Sequence, residues 1–423
     1  MSKKQIQKDI SCMDDFDPES LTPDKALEKI FTSLSRMTQT EEVPVREALQ
    51  RVLANDIKSG INVPSGRNSA MDGYAIHAED LPESGTRTLH LAGSSFAGQP
   101  FHGNVEKGEC VRIMTGAIMP GTTDTVVIQE HAEKQDDTAI IIGTDTKPCS
   151  NVREAGEDLA VGDLVLQKGM RLAPADIGLL ASLGIAQVPV FRKLRVAFFS
   201  TGDELRSIGE ELEDGMIYDS NRYTLFGMLS RLGADIIDMG VVKDDPALLE
   251  QAFIEARDKA DVLLTSGGVS VGEADYVKDV LTRLGDVNFW KVAMKPGRPL
   301  TFGKLGDTFF FGLPGNPVSV MVTFYQFVQP ALRQLMGENY SPPILLKVPC
   351  LSSLRKRPGR VEYQRGVLEQ QDDGSMAVRK TGKQGSGILR SMADANCFIV
   401  LPLESSGVNP GDSVDVQLFN GLV

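Results

Sequence analysis

Between residues 193 and 337, short apolar runs alternate with amphipathic spacing, and this pattern constrains the fold of the chain more than any other. Candidate strands at Arg195–Phe199, Asp235–Val242, Asp261–Leu264, Val287–Val292 and Thr308–Phe311 alternate with helical patterns at 221–232, 246–259, 275–284 and 317–336. The alternation predicts a doubly wound α/β domain. In such open sheets, ligands bind beyond the carboxyl ends of the strands. The loop after each strand is therefore the place to look for chemistry.

The third strand runs into Thr265-Ser-Gly-Gly-Val-Ser-Val-Gly-Glu-Ala-Asp275, ahead of a helical pattern. Glycines and serines at Ser266, Gly267, Gly268 and Ser270 let backbone approach a ligand closely and turn N–H groups toward an anion. Glu273 and Asp275 add carboxylates to that anion site, an unfavourable pairing unless a metal ion lies between. The other strands deliver Ser200-Thr201-Gly202-Asp203-Glu204, Lys243-Asp244-Asp245-Pro246, Met294-Lys295-Pro296-Gly297-Arg298-Pro299 and Gly312-Leu313-Pro314-Gly315-Asn316-Pro317. Any one of these alone reads equally well as a solvated turn, since Gly, Asp and Pro fill turns for conformational reasons. Five together, on one sheet edge, point to a site.

Their charges divide by role. Glu204, Asp275 and either Asp244 or Asp245 are hard oxygen donors suited to Mg²⁺. Glu273 fits better as stabilisation of a helix N-terminus. Lys291, Lys295 and Arg298 put cations on one strand and its loop, where they can hold phosphate or another oxyanion. No Ser-His-Asp or Cys-His arrangement is apparent, which disfavours covalent nucleophilic catalysis. Trp290, the only tryptophan, reads as core packing.

The rest of the chain has a different texture. At 423 residues it exceeds one ordinary core and predicts three or four domains. Residues 1–20 are polar and aperiodic and read as a mobile tail. Thr22 and Pro23 open a helix with Ala26, Leu27, Ile30, Phe31 and Leu34 on its apolar face, and a second helix is expected near Val45. From Asn55 to Ser150, short runs at 74–76, 89–92, 110–114, 125–128 and 139–142 predict an inserted β-rich module. A helix is expected near Pro174–Leu183. After Tyr340-Ser341-Pro342-Pro343, the remaining residues predict a small all-β domain. Within the inserted module, Asn68-Ser69-Ala70-Met71-Asp72-Gly73 could present Ser69 and Asp72 to a ligand. Thr115, Arg153 and Asp158 are further candidates for an anion site, and a polar turn is the plain alternative for each.

A net charge of −13 argues against a general nucleic-acid partner. No apolar run approaches the ~20 residues that span a bilayer. Five scattered cysteines and the absence of an apolar leader lead to the expectation of a reducing, cytoplasmic setting.

Taken together, Asn68-Ser-Ala-Met-Asp-Gly-Tyr-Ala75, Arg153-Glu-Ala-Gly-Glu-Asp158, Ser200-Thr-Gly-Asp-Glu-Leu205, the 265–276 stretch, Lys295-Pro-Gly-Arg-Pro299 and Gly312-Leu-Pro-Gly-Asn-Pro-Val-Ser319 closely resemble the MoeA family of molybdopterin molybdenumtransferases. The same domain type is the E domain of gephyrin. The resemblance covers nearly the whole chain past the tail. It implies a segmented helical domain (21–60 and 151–192), an inserted β-rich domain (61–150), the α/β molybdopterin-binding catalytic domain (193–340) and a C-terminal β-barrel (341–423). It further implies an elongated homodimer whose cleft is completed by the partner's β-rich module, and transient contact with the molybdopterin adenylyltransferase. The implied reaction is Mg²⁺-dependent insertion of molybdate into adenylylated molybdopterin with release of AMP. Glu204, Asp244 and Asp275 would hold Mg²⁺, and the amides of Gly267, Gly268 and Ser270 would receive phosphate. Lys291, Lys295 and Arg298 would hold the oxyanion, Asp72 would complete the site, and Pro314 and Pro317 would shape their loop. Adenylylation of molybdopterin and a gephyrin-like scaffold are the alternatives.

Overall fold

The computed structural model describes residues 19–267 and 276–419. Most of the expected tail, the residues Gly268, Ser270, Glu273 and Asp275 of the glycine-rich stretch, and the last four residues lie outside the described residues. The chain divides into two compact units, one formed by Glu42–Val190 and the other by Met1–Glu41 with Phe191–Val423.

The larger unit contains the α/β sheet. Its six strands lie in the order Asp235–Val242, Arg195–Thr201, Val262–Ser266, Thr308–Leu313, Pro299–Leu305 and Asp286–Lys291. The first four pair in parallel. Continuous apolar runs such as Val196–Phe199 and Val262–Leu264 are fully buried, as parallel strands covered on both faces require. Edge-to-face contacts of Phe253 with Phe199 and Phe310, at 5.4 and 5.7 Å between ring centroids, fill one side of the sheet.

The strand Pro299–Leu305 was not anticipated. It is antiparallel to both neighbours, and its proline sits at the first position, where no ladder donor is needed. Two successive reversals leave Asp286–Lys291 running in the same direction as the parallel strands. Its carboxyl end therefore reaches the same sheet edge as theirs. Trp290 packs on Phe302 at 5.6 Å.

The helices follow their caps. Ser220–Leu232 begins at Asp219, whose carboxylate accepts from Arg222 N at 3.1 Å, and stops at Gly233 in the left-handed region. Thr22 accepts from Lys25 N at the start of Pro23–Ser33, as expected. The pattern at 317–336 forms Pro317–Thr323 and Gln329–Leu335, joined by a widened turn at Phe324–Val328. Pro330 has no amide to donate, so the hydrogen-bond ladder shifts ahead of it.

In the C-terminal part, Val361–Gln370, Cys397–Leu401, Ser413–Leu418 and Leu345–Pro349 form an antiparallel sheet, and Met376–Lys380 pairs with Val361–Gln370. An isolated bridge joins Cys350 to Val378. Cys350, Val378, Cys397, Ile399 and Val416 are the buried centre. The two-residue strand Met294–Lys295 belongs to this sheet rather than to the α/β sheet. It pairs in parallel with Val361 and Glu362.

The smaller unit holds a six-stranded sheet in the order Thr125–Ile128, Gly73–Ile76, Glu109–Ile113, Arg87–Ser95, Ala139–Ile142 and Ala132–Lys134. All five expected runs are present, around Ile76, Leu89, Cys110, Val127 and Ile140. Pro174–Ser182 is helical, as expected. The helix expected near Val45 is instead a strand, Thr40–Pro44, followed by a single tight turn, Val45–Glu47. Val43 and Val45 are both buried, a period of two rather than of 3.6.

Candidate active site

The carboxyl edge of the α/β sheet and residues of the C-terminal part, from the start of Val361–Gln370 and the loops around it, enclose a cleft of about 2560 Å³. Thr201, Gly202, Glu204, Asp244, Ser266, Gly267, Lys295, Arg298, Pro314, Gly315, Asn316 and Pro317 all line it. Loops expected to converge from separate strands do so. Asp275, Gly268 and Ser270 lie outside the described residues.

Short parallel pairing brings the loops close. Gly267 has φ +93°, and a Cβ there would lie 2.4 Å from the Thr201 carbonyl oxygen, so only glycine fits. Asn221, on the first turn of Ser220–Leu232, donates to Ser266 Oγ at 2.8 Å and to the Gly315 carbonyl at 2.7 Å. One amide thus ties the ends of two neighbouring strands together. Sequence reading missed Asn221, although it sits four residues into the polar run Tyr218-Asp219-Ser220-Asn221 that follows a loop.

The carboxylates separate by what they touch. Asp245 accepts from Ala247 N and Leu248 N at 2.9 and 3.0 Å and caps the Pro246–Lys259 helix. Asp244 lines the cleft and accepts from the Thr201 hydroxyl. Glu204 lines the cleft with its carboxylate folded over Gly202. Among the described residues, no group of three or more acidic, His or Cys side chains is clustered tightly enough to hold a metal alone.

The cations are more numerous than expected. Lys295, Arg298, Arg355, Lys356, Arg357, Arg360, Arg365, Lys380 and Lys383 line the cleft, seven of them from the C-terminal part. Arg365 is buried, its guanidinium donating to Ser391 Oγ and the Tyr363 and Gly385 carbonyls, and burial pulls its pKa down to about 10. The loop carrying Lys383 is held by Gln384, which bonds both N and O of Arg365. It is joined to the α/β part by Val318 N donating to the Ser386 carbonyl at 3.0 Å. No role was assigned to these residues from sequence, because basic residues in a small all-β domain look like solvated surface. The run Arg355-Lys356-Arg357 with Arg360, in a chain of net charge −13, was the available signal. Lys291 is exposed at its strand end and is not among the residues lining the cleft.

The remaining candidates belong to the smaller unit. Asp72 accepts from Thr115 N and Thr115 Oγ1, both at 2.7 Å, and these bonds hold its exposed carboxyl below the usual range. Ser69 is buried, with its hydroxyl spent on the Met71 carbonyl two residues on, so it shapes the turn that presents Asp72. Arg153 lies opposite Asn68 on the paired strand. Asp158 sits in a bend beside the isolated Val63–Leu159 bridge, its N–H donating to the Val63 carbonyl.

Three family models match the chain in order: the MoeA N-terminal region (domain I and II) over residues 21–184, a probable molybdopterin binding domain over 197–334, and the MoeA C-terminal region (domain IV) over 347–419. The chain is 47% identical over 405 residues to a molybdopterin molybdenumtransferase of Haemophilus influenzae, covering 95% of this chain and 100% of that protein. It is 36% identical to gephyrin of Dictyostelium discoideum over 95% of this chain and 63% of that protein. Among solved structures, a molybdopterin biosynthesis moeA protein from Pyrococcus horikoshii OT3 superposes with a TM-score of 0.83 at 29% identity, covering 95% of this chain and 100% of that one.

Proposed function

This chain belongs to the MoeA family of molybdopterin molybdenumtransferases of molybdenum cofactor biosynthesis, and from that premise we propose that it inserts molybdate into adenylylated molybdopterin with release of AMP. The observation that carries this reading is one cleft with carboxylates on its α/β wall and a dense set of cations facing them. A nucleotide pyrophosphate and an oxyanion both need cationic donors, and the cleavage needs charge stabilised where it develops.

Glu204 and Asp244 are the described residues that would hold Mg²⁺, with Asp275 as the expected third. Two carboxylates completed by water and phosphate oxygens suit this ion, so the donor set fits. When bound, Mg²⁺ would neutralise charge on the bridging phosphates. Gly267 brings backbone within reach of a phosphate, and the Asn221 bonds hold the preceding Ser266 to Gly315. Lys295 and Arg298 face the oxyanion. The C-terminal cations receive the rest of the negative charge. Asp72, aimed by Thr115, would complete the site in a homodimer, its partner supplying the β-rich module. We read the C-terminal sheet as a closed barrel, keep the four-domain boundaries expected from sequence, and place the enzyme in the cytoplasm.

The test is direct. Purified chain mixed with adenylylated molybdopterin, molybdate and Mg²⁺ should release AMP, and removing Mg²⁺ with a chelator should stop it. Failure to release AMP under these conditions, or adenylylation of molybdopterin from ATP in its place, defeats the reading.

A further inference from the structure

The cationic wall of the cleft contains one anion. Among the described residues that the C-terminal part contributes to the lining, Glu362 is the single acidic one. Its side chain is only 7% exposed, whereas that of its partner Lys295 is 55% exposed. Lys295 Nζ donates to Glu362 Oε1 at 3.2 Å, and Gln364 Nε2 donates to Oε2 at 3.0 Å. The pairing is built into the backbone. Met294 and Lys295 lie in parallel register with Val361 and Glu362, and Val361 N donates to the Ala293 carbonyl at 2.8 Å.

A buried carboxylate is costly unless a cation meets it; the charge of Arg365 also acts on Glu362, but the cation hydrogen-bonded to it is Lys295, which the cleft also offers to ligands. An oxyanion arriving at Lys295 must share the ammonium with Glu362 and must approach a second negative charge. Attraction to the ammonium is thereby reduced, while the ammonium is held at one place on the wall.

We propose that Glu362 is a positioning residue that aims Lys295 and holds down the affinity of the cleft for oxyanions, so that a bound anion can move on or leave. This rests on Lys295 facing the oxyanion in the proposed reaction. The consequence is a split in the kinetics. Replacing the charge but keeping the shape, Glu362→Gln, lowers the KM for molybdate and lowers kcat with it. A residue that merely supported the fold would lower kcat with KM unchanged or raised.

Equilibrium dialysis of the full chain against molybdate tests this with four proteins: the parent, Glu362→Gln, Lys295→Ala and the double variant. Glu362→Gln should bind molybdate on the order of fivefold more tightly, the scale of one unit charge removed near a partly solvated site. Lys295→Ala should weaken binding, and in its background the Gln substitution should give a smaller tightening, because the direct repulsion between carboxylate and oxyanion is then all that it relieves. If Lys295→Ala weakens binding but Glu362→Gln does not strengthen it, Glu362 lacks this role and the assignment of Lys295 stands. If Lys295→Ala leaves binding unchanged, the premise fails and the proposal falls with it. Should the Gln variant not fold, Glu362→Asp, which withdraws the carboxylate by one methylene, should give a smaller tightening; no tightening there overturns the proposal.

Discussion

Asp244 and Asp245 are adjacent, chemically identical and used for different ends. Asp245 caps a helix, so Asp245→Ala should cost about 1 kcal/mol in thermal unfolding while leaving AMP release near the parent rate. Asp244→Asn keeps the shape of the side chain but removes the cleft charge, and should lower AMP release by roughly a hundredfold with little change in Tm. The opposite pattern would exchange their roles. Sequence reading left the two open because both follow the same strand and precede the same proline; only cap geometry separates them. Gly267 was legible as a site of close approach, though not what it approaches. The Thr201 carbonyl belongs to a strand more than sixty residues earlier in the chain, and such pairings leave no local trace.

At the scale of elements, local period carried most of the information. Strand–helix alternation in 193–337 was readable because the central runs Val196–Phe199, Val262–Leu264 and Phe309–Phe311 are continuous and buried, and because the Ser220–Leu232 and Pro246–Lys259 helices show their caps. Pro299–Leu305 was not, since its proline and the cations before it look like the end of a loop. One polar contact secures the entry to this sheet. Asp261, just before Val262–Ser266, accepts from Arg192 Nη1 at 2.7 Å and from Arg195 Nη2 at 3.0 Å, joining the starts of two adjacent strands. Burial pushes its carboxyl up, but the Arg192 and Arg195 bonds outweigh that and hold it at about 2. The folded value lies below the unfolded one near 3.8. Its contribution is therefore present above about pH 4 and lost as pH falls toward 2. At neutral pH it amounts to about 2 kcal/mol. Asp261→Asn should lower stability by that amount at pH 7 and by progressively less toward pH 2, as read by denaturant unfolding across pH; a pH-independent loss would refute the assignment.

For the molecule as a whole, a net charge of −13 coexists with nine cations around one cleft. The surrounding negative surface repels an anionic substrate at long range, and the cleft attracts it at short range. Salt screens both, but it reaches the open cleft, so raising ionic strength from about 0.05 to 0.5 M should increase the KM for adenylylated molybdopterin several-fold with a smaller effect on kcat. A KM insensitive to salt would mean that the cations act structurally. The strand Met294–Lys295 gives the molecule a further property. It is covalently part of the α/β domain yet hydrogen-bonded into the C-terminal sheet. A chimera that takes its last domain from a relative would cross this seam, separating Lys295 from the residue that evolved opposite it. Functional exchanges should be those in which residues 294–298 and 361–365 come from one parent, and a library of such crossovers would show the two segments inherited as a block.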